Sequence, residues 1–588
     1  MQKYNRPSPR KITSGIIIVL VLCILLSACS KKAATPTLDA VLLATLTPNP
    51  KAVQETSAPQ NSPSPTVTLL PPSQVDNSGS KAGLIILSMS DGEYKHLFAY
   101  HPSYLPVTRI TSDEWDDDSP TISPDGNQIA FASNRFGNRD VYVLNLVTNT
   151  LTQMTNSIAY EGSICWSIDG NYIAYDVYQN GYYDLIIQSV TDRSEAPIQL
   201  TDGTSNNFQP AWSPDGSQLA FVTDRSGRNE IWLARLQNPE DRFIRVIGST
   251  DADYSHPAWS ADGSMLAVDR DQNGKEILVF QTSDFSIEPL VLGNGSNPVW
   301  LPDGSGILGT LDMPNQTEIL AYAINDRHLM LPPIPMPGSV SAYDWRVGAI
   351  SDNILRYLSV NTISQPSALW NDQTTGEVDE SGRRSLVPLD DVTAPQASLS
   401  DAVDDSYIQL RALVNEKAGW DFLDTLENAA LAPTDESLPN ILENWLYTGR
   451  AIALNMAPYE AQWMVATRED FAGEVYWRIW IKCKLQDGSC GQPLETPVWD
   501  FNSRFSGEPM AYENGGEFIQ APAGYWIDFT ELALRFGWER LPSQNNWRSY
   551  FPGILFNTFV MREGYSWQQA LLDIYPVDQA ALIIEKSQ

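Results

Sequence analysis

Histidine is nearly absent from this chain: His96, His101, His256 and His328 are the four in 588 residues, and none follows position 328. Imidazole is the usual general base near neutral pH and the commonest ligand of an open catalytic zinc. Residues 329–588 therefore offer neither a Ser-His-acid hydrolase nor a His-held zinc peptidase. Positive charge is also scarce, with 38 Lys and Arg against 71 Asp and Glu and a net charge of −33. Such a surface argues against nucleic acid, anionic lipid or anionic wall polymer as direct ligands, and it favours solubility. No P-loop, dinucleotide fingerprint or Cys-x-x-Cys occurs, and no Gly-x-Ser-x-Gly elbow follows the repeats described next, so no cofactor is expected. A carboxylate-based hydrolase stays open, because two acids at the right separation suffice. No pair among 71 acids stands out. Asp116, Asp117 and Asp118, or Asp251 with Asp253, read as solvated loop acids before they read as a cation site.

What the chain has in plenty is repetition. A hydrophobic residue or Trp, then Ser-Pro-Asp-Gly or a close relative, then a β-rich run recurs around Asp125, Asp169, Asp215, Asp262 and Asp303, at steps of 44, 46, 47 and 41 residues. In QPAWSPDGSQLAFVTDRSGRNEIWLARL (209–236) a short strand ends at Trp212. Pro214, Asp215 and Gly216 then supply a turn: Pro presets φ, Asp bonds its own backbone and Gly accepts a positive φ. Two further strands follow, around Phe221 and Trp232. Periods of about 40–50 residues with four strands each are the signature of propeller blades, whose sheets bury both faces only by stacking around an axis. The repeated Trp166, Trp212, Trp259, Trp300 and Trp345 read as inter-blade packing.

Segments 84–90, 96–100 and 107–111 look like three strands of a blade lacking its inner strand, and 341–347 looks like that missing strand. Joining them closes a sixth blade and removes costly open edges. A strand at 354–360 leaves a seventh blade open as the alternative. The phrase hydrophobic-Ser-Pro-Asp-Gly-x-x-hydrophobic-Ala-Phe resembles the blades of TolB-like propellers over about 83–360. That resemblance implies the fold. It leaves activity open, since similar blades serve as protein-binding scaffolds, gating domains of peptidases and sugar lyases. In a propeller the axial mouth is the favoured binding place. The residues just before each inner strand's end align as Ser119, Ser163, Gln209, His256 and Asn297, polar in all five copies, and they are the candidate ligand contacts.

The amino terminus carries Lys3, Arg6, Arg10 and Lys11, then an apolar run at 16–26 that is too short to span a bilayer, so it reads as a secretory signal. Leu26-Ser27-Ala28-Cys29 resembles the lipobox of bacterial lipoproteins, which implies a lipid on Cys29 and a place on the extracytoplasmic face of the cell or outer membrane. Residues 30–80, rich in Pro, Thr and Ser, cannot bury a core and read as a tether.

After a propeller spanning 81–370, the polar stretch 371–398 reads as a linker and 399–588 as an α+β domain. A helical period runs from 405 to 429, strands are expected at 463–467, 475–482 and 524–529, and helices at 530–536 and 567–575. The segment ENWLYTGRAIALN (443–455) resembles the zinc-ligand region of D-alanyl-D-alanine carboxypeptidases. Leu446 stands at the family's His position and Ala453 at its Asp position, so the resemblance implies a degenerate, metal-free domain in which Thr448 and Arg450 bind a ligand. Cys483 and Cys490 flank a short loop in an oxidising compartment and are expected to form a disulfide. Cys165 reads as a small buried hydrophobe. Together these features describe a tethered envelope lipoprotein that binds a protein, peptide or cell-wall fragment without catalysis.

Overall fold

A computed structural model describes residues 83–102, 105–346, 369–370, 378–436, 441 and 443–587. Cys29, the tether 30–80 and the seventh-blade candidate 354–360 lie outside them. Six four-stranded antiparallel sheets carry residues 84–346. The first is completed across the chain: Val340–Arg346 pairs with Leu84–Asp91, from Leu84 opposite Arg346 to Met89 opposite Val340. Blades 2 to 6 begin at inner strands Asp117–Ile122, Tyr160–Trp166, Asn207–Trp212, Asp253–Trp259 and Ser296–Trp300. Among the described residues the propeller has six blades.

The repeated phrase does two jobs. At the turn, the Ser213 hydroxyl donates to Asp215 (2.6 Å), Asp215 accepts the Ser217 N–H (3.0 Å), and Gly216 takes φ 73°. Ser123, Ser167 and Ser260 bond Asp125, Asp169 and Asp262 in the same way at 2.6–2.7 Å. A side chain added at Gly170, Gly216 or Gly263 would meet Pro124, Ile168 or Pro214 of the preceding blade at 3.7, 3.7 and 3.2 Å, so the turns of blades 2 to 5 lie side by side. At the strand end, the Trp166, Trp259 and Trp300 indoles donate to the carbonyls of Thr121, Ala211 and Ala258 in the preceding blade (3.2, 3.1 and 2.9 Å). Trp212 instead donates within its own turn, to Gly216.

The second domain starts earlier than its composition suggests. Leu386–Pro388 pairs with Ser398–Ser400, Ser400 N–H donates to the Gly449 carbonyl (2.8 Å), and Leu389 and Leu399 are buried in the core. The stretch read as a linker is thus structured over this hairpin, because Leu389 enters the core and Val392, Ala394 and Ala397 pack against it. The expected helix is Asp404–Ala418 and stops at Gly419, whose φ of 76° makes a left-handed cap; Ile408, placed on its buried face by periodicity, is exposed. Strands Met464–Phe471, Glu474–Lys482 and Trp526–Asp528 form one sheet, and a second small sheet holds Ala451–Leu454 and Thr558–Val560. Helices Phe529–Arg535 and Trp567–Ile574 fall close to expectation.

One hydrophobic cluster runs from Tyr160, Tyr183, Phe208 and Tyr254 of the propeller into Trp477, Trp538 and Phe559 of the second domain. The inter-blade indole bonds give the first prediction. Trp300→Phe keeps an aromatic ring but removes the hydrogen bond to the partly buried Ala258 carbonyl, an expected loss of about 1 kcal/mol. Chemical denaturation of the full chain followed by tryptophan fluorescence measures it; an unchanged midpoint refutes the role given to the indole.

Candidate functional site

The inner strands of blades 2 to 6 each break register at one place: between Asp118 and Thr121, Gly162 and Cys165, Phe208 and Ala211, Ser255 and Ala258, and Ser296 and Val299. The residue in the break has positive φ every time: Ser119 53°, Ser163 41°, Gln209 52°, His256 50° and Asn297 52°. Non-glycine residues rarely adopt this conformation, and a bulge that forces it re-aims the side chain. Four of the five are followed by Pro120, Pro210, Pro257 or Pro298, which have no N–H to lose from the ladder. All five positions line one axial channel of about 620 Å³.

That channel has unlike ends. The mouth where the inner strands begin, which the sequence offered as the binding mouth, is covered by the second domain. Pro493 accepts from the Tyr183 hydroxyl (3.4 Å), the Glu495 carbonyl from Asn229 Nδ2 (3.0 Å), and a Glu495 carboxylate oxygen from Gln209 Nε2 (2.8 Å). Around this plug, Gly524 N–H donates to the Tyr178 hydroxyl (2.7 Å), Gln520 to Asp224 (2.9 Å) and Arg540 to the Pro314 carbonyl (2.7 Å). Lys417 lies 5.2 Å from the Tyr94 ring centroid, and Arg228 has the same relation to Phe518 at 5.0 Å. Blades 1, 3, 4 and 6 are all engaged. Among the described residues, the opposite mouth is bordered by the propeller's own turns, including Pro124, Ile168, Pro214 and Pro302.

The plug is held from behind. Cys483 and Cys490 are joined by a disulfide, and Gln492 exchanges two backbone hydrogen bonds with Trp526 (2.8 Å each). Gly491 between them has φ 63°, and a Cβ there would collide with the Trp526 carbonyl. Glu495 is thereby presented as the channel floor.

Gln209 ties the floor together. Its backbone N–H donates to Asp176 (3.0 Å), its side-chain oxygen accepts the His256 N–H (2.9 Å), and its side-chain nitrogen lies 3.1 Å from His256 Nε2. His256 Nδ1 faces Asp269 at 2.9 Å. Burial pushes the Asp176 carboxyl up; burial, and then the neighbouring Asp176, push the Glu495 carboxyl up. Beside them Asp118 is committed to Lys95 (3.4 Å) and Arg139 (3.5 Å), and Arg139 also donates to Ser119 (3.1 Å). Asn297 reaches Thr310 (3.4 Å), and its carbonyl accepts from the Tyr343 hydroxyl.

Thr448 and Arg450 lie away from the channel, buried inside the second domain. Thr448 is fully buried and donates to the Trp445 carbonyl; Arg450, 1% exposed, bonds Glu563 (2.8 Å) and Asp573 (3.4 Å) and stacks on Tyr565. A guanidinium inside the fold needs such partners, and here they absorb it. Asp117, Asp118 and Asp253, expected to be solvated loop acids, stand instead in inner strands, Asp117 and Asp118 buried; Asp117 pairs with buried Arg135 (2.8 Å) and Asp253 with Arg228 (2.6 Å). No cluster of three or more potential metal ligands exists among the described residues. Cys165 is half-buried in the channel wall.

Sequence reasoning missed Asp176, Asp269 and Glu495. The first two had a signal: they are acids in second strands at the place where the sibling blades have Ala132 and Val222. Glu495 had none, because only tertiary docking brings it to the axis.

The family model described as the TolB beta propeller domain matches residues 177–330. A protein TolB homolog of Chlorobaculum tepidum is 32% identical over 117 residues, which is 20% of this chain and 26% of that protein. The Tol-Pal system protein TolB of Francisella tularensis is 26% identical over 159 residues, 27% of this chain and 33% of that one. The chain thus spans about a quarter to a third of the length of these curated relatives. The crystal structure of TolB from Acinetobacter baumannii, 19% identical, covers 45% of this chain and 67% of its own with a TM-score of 0.41.

The raised carboxyls predict a pH dependence. The docked state holds protons that Asp176 and Glu495 release when the domains part, so docking is firmest in mild acid and weakens as pH rises through the raised values. Limited proteolysis between about pH 5 and about pH 8 measures this. Cleavage of the full chain at the domain junction should accelerate toward the upper end, and Glu495→Gln should flatten the trend; a pH-independent rate in the unsubstituted protein refutes it.

Proposed function

We propose that this protein is a non-catalytic binding scaffold of the cell envelope, lipid-anchored through Cys29, which takes a protein or peptide into the open mouth of its propeller. The observation that carries this reading is the one-ended channel. Closing a pore with the chain's own second domain converts a water-filled hole into a pocket, with a polar floor and a wall of Pro, Trp and small apolar residues. Its volume of about 620 Å³ lies in the range of specific ligand sites. Such a pocket recognises a projecting segment by shape.

Location rests on two supports. The lipobox-like Leu26-Ser27-Ala28-Cys29 implies an extracytoplasmic anchor, and the Francisella relative is named for the Tol-Pal system, which favours an envelope setting for a similar propeller. The tether 30–80, at roughly 3.3–3.6 Å per extended residue, gives the propeller a long radius of search from the membrane. Its acidic composition argues against nucleic acid as a partner. The second domain serves as the lid and floor-bearer. Read as a peptidase-derived fold, it has Leu446 and Ala453 where metal ligands would stand, and Leu446 packs in the apolar cluster of Trp445, Tyr447 and Trp567.

A carboxylate hydrolase is the second reading, and the paired Asp176 and Glu495 with raised proton affinity are what favours it. Turnover of peptidoglycan fragments or peptides that disappears with Glu495→Gln would put the enzyme first.

A photo-cross-linking residue at Ile168, 49% exposed on the open rim, tests the scaffold in membranes of the native host. Discrete protein adducts are expected from position 168 and not from position 577, where Val577 is 72% exposed on the second domain. No adduct from the rim refutes capture at this mouth.

A further inference from the structure

Scattered exposed apolar side chains are ordinary on a folded surface, whereas a concentration of them marks a contact. Phe505, Met510 and Tyr512 are 74, 65 and 63% exposed, and Phe518 and Ile519 are exposed as well, five large side chains between positions 505 and 519. Their base is packed. The turn Asn502–Phe505 lies against the helix Pro509–Asn514. From beneath, buried Arg504 donates to the Gly515 carbonyl (2.7 Å), and the Gly516 N–H donates to the Ala511 carbonyl (2.8 Å). A Cβ at Gly515 would run into Arg504 and Trp547, and one at Gly516 into the Trp499 indole. Ala511, Gly515 and Gly516 thus form a buried underside, and the larger side chains are left facing solvent. Glu517–Ile519 follows as a strand paired with Val498–Asp500 and, among the described residues, with no other strand. All three of its residues stay exposed, although Arg228 of blade 4 stands over Phe518 (5.0 Å) and Gln520 donates to Asp224 (2.9 Å). Between 500 and 520 the exposed charged residues are Glu508, Glu513 and Glu517. The arginines nearby are committed: Arg504 is buried, Arg228 pairs with Asp253 (2.6 Å), and Arg548 lies on the Trp547 ring.

We propose that this face of the second domain docks an extended segment of a partner protein, one that carries Lys or Arg among large apolar residues and pairs as a strand with Glu517–Ile519. It is a second contact surface, separate from the channel, and it stands whatever the channel takes. The free strand edge offers backbone N–H and C=O groups, which another backbone pairs in register. The exposed aromatic and Met side chains supply the apolar anchor and are of the types enriched at protein contacts. The three glutamates complement a basic segment and repel an acidic one. Two other occupants fit less well. A bilayer would cover the apolar side chains but leave the strand edge unpaired, and anionic lipid would also meet the three acids. A second copy of this chain would bring the same acids to the contact.

The test selects binders to the full chain from a phage-displayed library of random peptides, with the Phe505→Ser, Met510→Ser double variant as counter-selection. Sequences that bind the unsubstituted protein and not the variant should combine Lys or Arg with large apolar residues. Enrichment of acidic sequences, or of none, overturns the inference. An enriched peptide, synthesised with a label and read by fluorescence anisotropy, should bind the double variant at least about tenfold more weakly. Its affinity should fall with added salt, and replacing Glu508, Glu513 and Glu517 by Gln should flatten that dependence. Both sets of substitutions are at exposed positions, so the thermal unfolding midpoint should not move. N-methylation of one alternate set of the peptide's amides should weaken binding at least about tenfold, and of the other set should not, because only one side of an added strand faces the edge. Full affinity of both methylated peptides overturns strand pairing. Cosedimentation with phosphatidylcholine vesicles, or a dimer in sedimentation velocity, that disappears in the double variant assigns the face to lipid or to a second copy and overturns the inference. The cross-link from position 168 reports the channel separately and should persist in the double variant; its loss there overturns the separation of the two surfaces.

Discussion

Ring closure is the constraint on which everything else hangs. A four-stranded blade exposes two faces and two edges, and only a closed circle of blades buries the faces without leaving a ladder of unpaired backbone groups at the seam. The seam here is the pairing of Val340–Arg346 with Leu84–Asp91, strands more than 240 positions apart. Closing a loop of that length is entropically expensive only in a logarithmic sense. It is bound twice more by side chains: Ser341 donates to Asp118 (2.7 Å), and Asp344 accepts from the Ile122 N–H (2.8 Å) of the next blade. Once the circle shuts, the inner strands must point their bulged residues at one axis, and the channel exists.

The blades were legible in the amino acids because everything that defines them is local and repeated. A turn such as Ser213-Pro214-Asp215-Gly216 is complete within four residues, and five copies at nearly constant spacing leave few other architectures. The five channel positions were legible for the same reason. Their left-handed backbone was not, though Ser119-Pro120, Gln209-Pro210, His256-Pro257 and Asn297-Pro298 hint at it, since proline inside a strand needs an edge or a bulge. The second domain gave up its elements but not its place. Nothing in QPLET, the sequence at 492–496, distinguishes a surface loop from a plug; what makes it one is a disulfide, a bridge to Trp526 and a shared aromatic core assembled from segments hundreds of residues apart. Arg450 shows the same limit from the other side: the motif is local, but its guanidinium pairs with Glu563 and Asp573, more than a hundred positions away.

The acidity of the chain also reads differently once placed. A net charge of −33 is, by composition, a statement about solubility. In three dimensions part of that charge is spent in fixed roles: the turn aspartates brace the ring, Asp117 balances a buried Arg135, and Glu469 is clamped by Arg478 (2.6 Å) and Arg540.

Register settles one more relation, between the first described strand and the mouth. Each inner strand runs from the covered mouth to the open one, so its last residues lie on the open side. Leu84 stands opposite Arg346, the last residue of such a strand, and the described chain therefore begins on the open face. The chain thus enters its first blade on the side that the second domain leaves open, and the same register that closes the ring sets the covered and the open mouth at opposite ends of the inner strands.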